Sequence, residues 1–216
     1  LFNWLFARNQ GGKFLLRIED TDKARSETKY VESILESLDW LGIDYDDNLV
    51  YQSDRFDKYT SAIDKLLSSG DAYYCNCSKE ELDKLRSEQQ KLGLKPKYDG
   101  RNRELSLEKG SDTVVRFKTP LEGEITLEDT LKGNVSVSNN ELDDLIIQRA
   151  DGTPTYNLTV VVDDIDMGIT NVIRGDDHLN NTYRQAHMMN ALGYKIPTYT
   201  HIPLIMGEDR KRLSKR

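Results

Sequence analysis

Near the end of the sequence, Arg212-Leu213-Ser214-Lys215-Arg216 sets a hydroxyl beside a cation on a short loop expected to follow a strand. Such a loop is suited to gripping a polyphosphate. Two further polar clusters follow apolar runs: Glu19-Asp20-Thr21-Asp22 after Phe14-Leu15-Leu16-Arg17-Ile18, and Arg174-Gly175-Asp176-Asp177-His178 after Asn171-Val172-Ile173. In a parallel α/β sheet, ligands bind in the crevice beyond the carboxyl ends of the strands. Any single cluster reads equally as a helix cap or a surface turn. All of them together, at the ends of separate strands, point to a site for a charged ligand.

The elements that must hold these clusters follow from periodicity and punctuation. Gly11-Gly12 turns into the run Phe14–Ile18, which reads as a strand. Tyr30, Ile34, Leu38 and Leu41 recur at helical spacing, with Gly42 placed for a left-handed cap. A second helix carries Phe56, Tyr59, Ile63 and Leu66 on one face, opened by Ser53 and closed by Gly70. From Tyr73 the grammar changes: a Cys75-Asn76-Cys77 turn, a capping box Ser78-Lys79-Glu80-Glu81 opening a helix to Gly93, then short strand-like runs such as Thr113 to Phe117. After Asp151-Gly152 the α/β pattern returns. A helix is expected from Tyr156 to Asp166, a strand from Asn171 to Arg174, a helix from Leu179 to Leu192 and a strand from Thr200 to Met206.

Composition sets the outer bounds. With 216 residues, 37% hydrophobic and 31% charged, and a net charge of −7, the chain is an ordinary globular sequence with one or two cores. The apolar stretch Leu1 to Phe6 is too short to span a membrane and lacks a signal-peptide pattern. The pair Cys75 and Cys77 cannot build a disulfide framework, so a reducing cytoplasmic location is expected. The charge is uneven. Lys84, Arg86, Lys91, Lys95, Lys97, Arg101 and Arg103 face only Glu88 and Asp99 in the same stretch, a basic island that is by pattern alone a solvated face.

Read in order, Arg17-Ile18-Glu19-Asp20-Thr21-Asp22, Tyr98-Asp99-Gly100-Arg101, Pro154-Thr155-Tyr156-Asn157, Val162-Asp163-Asp164, Val172-Ile173-Arg174-Gly175 and Leu213-Ser214-Lys215-Arg216 make an ordered set of motifs. The set resembles bacterial glutamyl-tRNA synthetases, which are class I aminoacyl-tRNA synthetases, and the last motif resembles their KMSKS signature. The segment Leu1 to Arg8 looks like the helix after their HIGH signature, so the sequence reads as an internal piece of such an enzyme.

The resemblance implies an α/β fold: a Rossmann-type parallel sheet split by an α+β insertion that binds the tRNA acceptor stem. The expected parts are residues 1–72 and 151–216 for the catalytic domain and 73–150 for the insertion. It also implies ATP and Mg2+, L-glutamate, and tRNA(Glu) with possible extension to tRNA(Gln), with no membrane partner and a monomeric state. By motif position, Glu19 would hold the substrate ammonium, Tyr156 would face the substrate side chain and Arg174 would meet its γ-carboxylate. Asp177 and His178 would lie near ATP, and Ser214 and Lys215 would carry the phosphate chemistry. Lys95, Lys97, Arg101 and Arg103 become candidates for tRNA contact.

Two departures from the family pattern are visible. Relatives with a structural zinc complete a Cys-x-Cys pair with a Cys and a His, where this sequence has Asn102 and Glu104; Cys75 and Cys77 are then a partial motif, and zinc is not expected. Arg212 stands where the signature's first lysine is usual. Two other readings stay open at this point: a paralogue that glutamylates a modified tRNA base, and a non-catalytic RNA-binding relative of the same fold.

Overall fold

The computed structural model describes residues 1–21 and 28–208, and the chain divides into two compact units, residues 1–58 and 59–216. In the first, α1 (Phe2–Asn9) is followed by β1 (Arg17–Ile18), α2 (Thr28–Trp40) and β2 (Val50–Tyr51). β1 and β2 pair in parallel, Arg17 beside Val50 and Ile18 beside Tyr51. The strand expected from Phe14 is therefore shorter. The Phe14 N–H donates to the Asp46 carboxylate (2.8 Å) and its carbonyl accepts from the Asp46 N–H (2.8 Å), so these groups are engaged with a loop before the ladder begins. Arg8 closes on the same carboxylate at 2.7 Å.

Gly42 takes φ +66° and Ile43 N–H reaches the Leu38 carbonyl at 2.9 Å, the left-handed helix end that its position after Leu41 predicts. The apolar stripe of α2 is another matter: no residue of the helix is buried, and Tyr30 and Ile34 remain 53% and 46% exposed. Spacing located the helix but not a covering surface. Ser53 does not open the next helix directly. It sits in a single 3-10 turn, Gln52–Asp54, where Asp20 accepts from its N–H (2.9 Å) and its hydroxyl (2.6 Å).

α3 (Phe56–Ser69) leads into the second unit with Tyr59, Ile63 and Leu66 buried and Gly70 (φ +81°) ending it. β3 (Ala72–Cys75), β4 (Val114–Phe117) and β7 (Ile146–Gln148) form one antiparallel sheet. Between β3 and β4 runs α4 (Lys79–Lys91), opened by a complete capping box of Ser78 and Glu81.

The second sheet positions the chemistry. Its order is β6 (Gly133–Ser138), β5 (Glu124–Asp129), β9 (Thr198–Ile202), β8 (Asn171–Gly175). β5 and β6 are an antiparallel hairpin, whereas β8 and β9 are parallel and joined through α6 (Leu179–Leu192). α6 starts and ends where its periodicity predicts, as does α5 (Tyr156–Asp166). β9 leaves the sheet at Pro203, short of the expected Met206, because proline has no N–H to give the ladder. β5 touches β9 in parallel at Asp129 and Tyr199. Ile125, Leu127, Leu142, Tyr183 and Ala186 form a core between hairpin and α6. On the other side Tyr59 O–H donates to the fully buried Asp163 carboxylate (2.9 Å), and Lys65 Nζ donates to the Leu192 carbonyl (2.7 Å).

Candidate active site

Arg174 lies one residue before the end of β8, and parallel register places it beside His201 of β9. Its Nη2 donates to Thr182 Oγ1 (2.5 Å) and Gln185 Oε1 (2.9 Å), three residues apart and thus on one face of α6. Its Nε reaches His201 Nε2 at 3.4 Å, and its Cζ lies 5.3 Å from the centre of the Tyr199 ring. These hydrogen-bond partners are neutral acceptors, and among the described residues no carboxylate pairs with Arg174. A half-buried guanidinium is thus aimed and hydrogen-bonded while its charge stays available to an incoming anion.

The His201 ring has its own anchor. Asp129, at the end of β5, accepts from His201 N–H (2.9 Å) and sits 2.7 Å from His201 Nδ1, both through Oδ2; Oδ1 accepts from Leu131 N–H and Lys132 N–H, each at 2.9 Å. Burial by itself would raise the Asp129 pKa, but these donors outweigh it and hold the carboxyl below its ordinary value. Burial, joined by the nearby Arg174 charge, lowers the His201 pKa against the opposing pull of Asp129. The pair is an anionic carboxylate and a neutral imidazole. Nδ1 therefore carries the proton, and Nε2 accepts from Thr182 Oγ1 at 2.8 Å.

Tyr156 begins α5, 41% exposed, with its ring 6.3 Å from that of His178, the residue before α6. Asn157 Oδ1 accepts from Gln185 Nε2 (3.0 Å), so the Pro-Thr-Tyr-Asn motif is tied to the side chain that holds Arg174. Asp177 folds back over the strand end: a Cβ at Gly175 would stand 2.5 Å from Asp177 Oδ1, so a larger residue there would require the Asp177 side chain to move. Tyr156, Arg174, Asp177 and His178, proposed from sequence, thus collect at the C-terminal end of β8 and the starts of α5 and α6. Thr182, Gln185, His201 and Asp129 were not singled out. The alternation that buries His201 in β9 resembles any core strand, and only pairing with β5 reveals its partner.

Glu19 follows β1 in the first unit, 45% exposed in its side chain, with Arg17 Nη2 at 3.6 Å. Asp22, Arg212, Ser214 and Lys215 lie outside the described residues. The basic island is mixed in character. Lys95 is exposed, Arg101 pairs with Asp99 at 2.8 Å, and Lys97 Nζ donates to the Asn140 carbonyl. Arg103 is turned inward, with Nε 2.9 Å from the buried Asp144 and Nη2 donating to the Thr119 carbonyl. An open cleft of about 380 Å³ beside it is lined by Arg86, Lys97 and Arg184 among others.

Around the cysteines, Asn102 is nearly fully buried and its Oδ1 meets both sulphurs. Cys77 Sγ donates to it at 2.6 Å, Cys75 Sγ lies at 3.3 Å, and Tyr98 O–H donates to it at 3.2 Å. Burial opposes ionisation of Cys75, but the Tyr98 hydroxyl, the Cys77 backbone and the Arg116 guanidinium (Nε to Sγ 3.3 Å) outweigh it and lower its pKa. Cys77 is pushed up to about 11 by burial and by its neighbour's charge. Glu104 is exposed and pairs with Lys118 at 2.9 Å.

Residues 1–216 match the family of tRNA synthetases class I (E and Q), catalytic domain. A glutamate–tRNA ligase 2 of Halorhodospira halophila is 55% identical over the whole chain, which covers 47% of that relative, and a glutamate–tRNA ligase 1 of Alkalilimnicola ehrlichii is 57% identical, with 46% of it covered. The crystal structure of a glutamate tRNA ligase from Elizabethkingia meningosepticum in complex with its amino acid superposes with a TM-score of 0.88 at 35% identity, over 99% of this chain and 47% of that one. The chain spans about half the length of these relatives. Agreement with the family model over residues 1–216, together with relatives 55–57% identical over the whole chain, places the chain in the class I tRNA synthetase family for glutamate and glutamine, within its catalytic domain.

Proposed function

We propose that the whole protein attaches L-glutamate to tRNA(Glu), with extension to tRNA(Gln), as a cytoplasmic monomer. In the first step the α-carboxylate attacks the α-phosphorus of ATP and pyrophosphate leaves; in the second a ribose hydroxyl of the terminal adenosine attacks the acyl carbon and AMP leaves. Both steps depend on alignment and on charge stabilisation and need little acid-base work. On this reading Arg174 meets the γ-carboxylate, Tyr156 borders the side chain, Glu19 holds the ammonium, and Asp177 and His178 border ATP. Ser214 and Lys215 contact the phosphates. Residues 1–72 and 151–216 would form the catalytic domain, and 73–150 the acceptor-stem insertion with Lys95, Lys97 and Arg101 toward RNA.

Among the described residues no group of three His, Cys, Asp or Glu converges as a metal cage. Magnesium would accompany the nucleotide, where it neutralises phosphate charge.

The observation that carries the proposal is the Arg174 guanidinium, oriented by neutral acceptors with its charge unmatched by any described carboxylate. Glutamine cannot supply the same two-pronged ionic partner. Replacing Arg174 with alanine in the full-length enzyme should lower kcat/KM for glutamate roughly tenfold to a hundredfold, with discrimination against glutamine weakened and ATP use little changed. A folded Arg174→Ala enzyme with wild-type glutamate kinetics would refute the assignment.

A further inference from the structure

The geometry points to His201, fixed by Asp129, as a positioning residue for the Arg174 guanidinium, and so as a determinant of amino-acid recognition outside the substrate pocket. The inference rests on the reading of Arg174 as the γ-carboxylate partner. It adds that the aim of Arg174 is set by a buried polar chain reaching back to the β5–β6 hairpin.

The polarity of that chain is set from its carboxylate end. Asp129 is saturated by backbone donors: Leu131, Lys132 and His201 N–H groups occupy it at 2.9 Å each, leaving it able only to accept from the ring at 2.7 Å. His201 Nδ1 must donate, so Nε2 must accept. Thr182 can then donate its hydroxyl proton to Nε2 (2.8 Å) while its oxygen accepts from Arg174 Nη2 (2.5 Å). Arg174 Nε approaches the same Nε2 lone pair at 3.4 Å. With the opposite tautomer, an Nε2–H would point at the hydroxyl and at a guanidinium that has only N–H to offer. The Nε2–H and the Arg174 Nε–H would face each other at 3.4 Å and Arg174 would lose His201 as an acceptor, while Thr182 would turn its hydroxyl proton to the His178 carbonyl (3.2 Å). His201 and Asp129 are each nearly inaccessible, with side-chain exposures of 1% and 0%, so water cannot substitute for a misplaced proton.

The inserted sequence before the parallel strands thus acts on the substrate pocket without touching it. Its carboxylate reads no ligand; it selects the tautomer that lets Arg174 do so.

The test uses the full-length synthetase. Asp129→Asn puts an N–H₂ group against backbone donors and the ring, which favours the Nε2–H tautomer; Thr182→Val removes the linking hydroxyl at nearly constant volume, and Thr182→Ser keeps it. Asp129→Asn and Thr182→Val should each raise KM for glutamate at least about fivefold, with KM for ATP and the melting temperature of Thr182→Val much less affected, whereas Thr182→Ser should stay within about twofold of wild type. On an Arg174→Ala background the Asp129→Asn or Thr182→Val change should add less than about twofold, because the group they orient is gone. Unchanged glutamate KM in Thr182→Val, or the same loss with and without Arg174, would overturn the inference. If Arg174→Ala itself left glutamate kinetics intact, the reading of Arg174 would fall first, so the two failures are distinguishable.

Discussion

Gln185 Oε1 accepts from Arg174 Nη2 at 2.9 Å while its own Nε2 donates to Asn157 at 3.0 Å, so a single buried amide fixes both a cation and the motif that begins α5. A carboxylate in the same place would form an ion pair with Arg174 and compete with a substrate carboxylate. Gln185→Glu should therefore raise KM for glutamate by roughly tenfold or more, with a smaller change for ATP. Steady-state kinetics with each substrate varied in turn would check it, and equal rises for both substrates would contradict it.

Asn102 occupies the position between the two cysteines where zinc-bearing relatives place a ligand, and it joins Cys75, Cys77 and Tyr98 by hydrogen bonds. This knot should serve in place of a metal. Purified full-length protein should contain no stoichiometric zinc by elemental analysis, and chelators should not change its melting temperature. Asn102→Ala should destabilise the protein by about 1–3 kcal/mol through buried polar groups that lose their acceptor. Tightly held zinc that disappears when Cys75 is replaced would reverse this account.

Tyr59 and Asp163 join α3 to α5 through a hydroxyl and a carboxylate that are both fully buried. Tyr59→Phe keeps the ring packing and removes one donor from a buried carboxyl group. A stability loss of about 1.5–3 kcal/mol in urea unfolding is expected, with kinetics nearly unchanged in the molecules that remain folded. A loss within about 0.5 kcal/mol would mean that the hydroxyl matters little.

His187 is buried on α6 with Nε2 2.9 Å from Asn139 Oδ1, and burial lowers its pKa from the ordinary 6.5. The folded chain resists a proton that the unfolded chain accepts. Stability from this residue is therefore complete above 6.5 and is lost as pH falls from there toward the depressed native value. The slope reaches at most about 1.4 kcal/mol per pH unit for each such group. The urea midpoint should fall between about pH 7.5 and about pH 5.5, and His187→Gln should reduce that fall. His201 shifts in the same direction and would retain its share of the slope.

The helices α5 and α6 were readable from their apolar spacing because they lie against a sheet and bury one face, and the place of Arg174 at the end of a strand followed from the apolar run before it. α2 shows the limit of periodicity: its stripe predicts a helix correctly, yet no residue is buried. What could not be read is pairing across long separations. Nothing in Glu124–Asp129 announces that its last residue will meet Tyr199 and His201, since strand composition reports burial and gives no partner. Asn102 was legible as a missing ligand, but its bond to Cys77 required the fold. The inward turn of Arg103 onto Asp144 is equally invisible in a run of basic residues.

The meeting of Asp129 with His201 also imposes an order in time. These residues are 72 positions apart, and a ribosome adding about 5–20 residues per second needs about 4–14 s to make the later one after the earlier. Throughout that interval the β5–β6 hairpin can close on itself while its other edge and the Asp129 carboxylate remain in water. The nascent chain holds half of a sheet whose central strand has not yet been made, and the substitution of water by an imidazole at Asp129 is among the last events in assembling the pocket. Synthesis that slows before β9 would prolong the exposure of an open β-edge, the part of this fold most prone to pair with another chain.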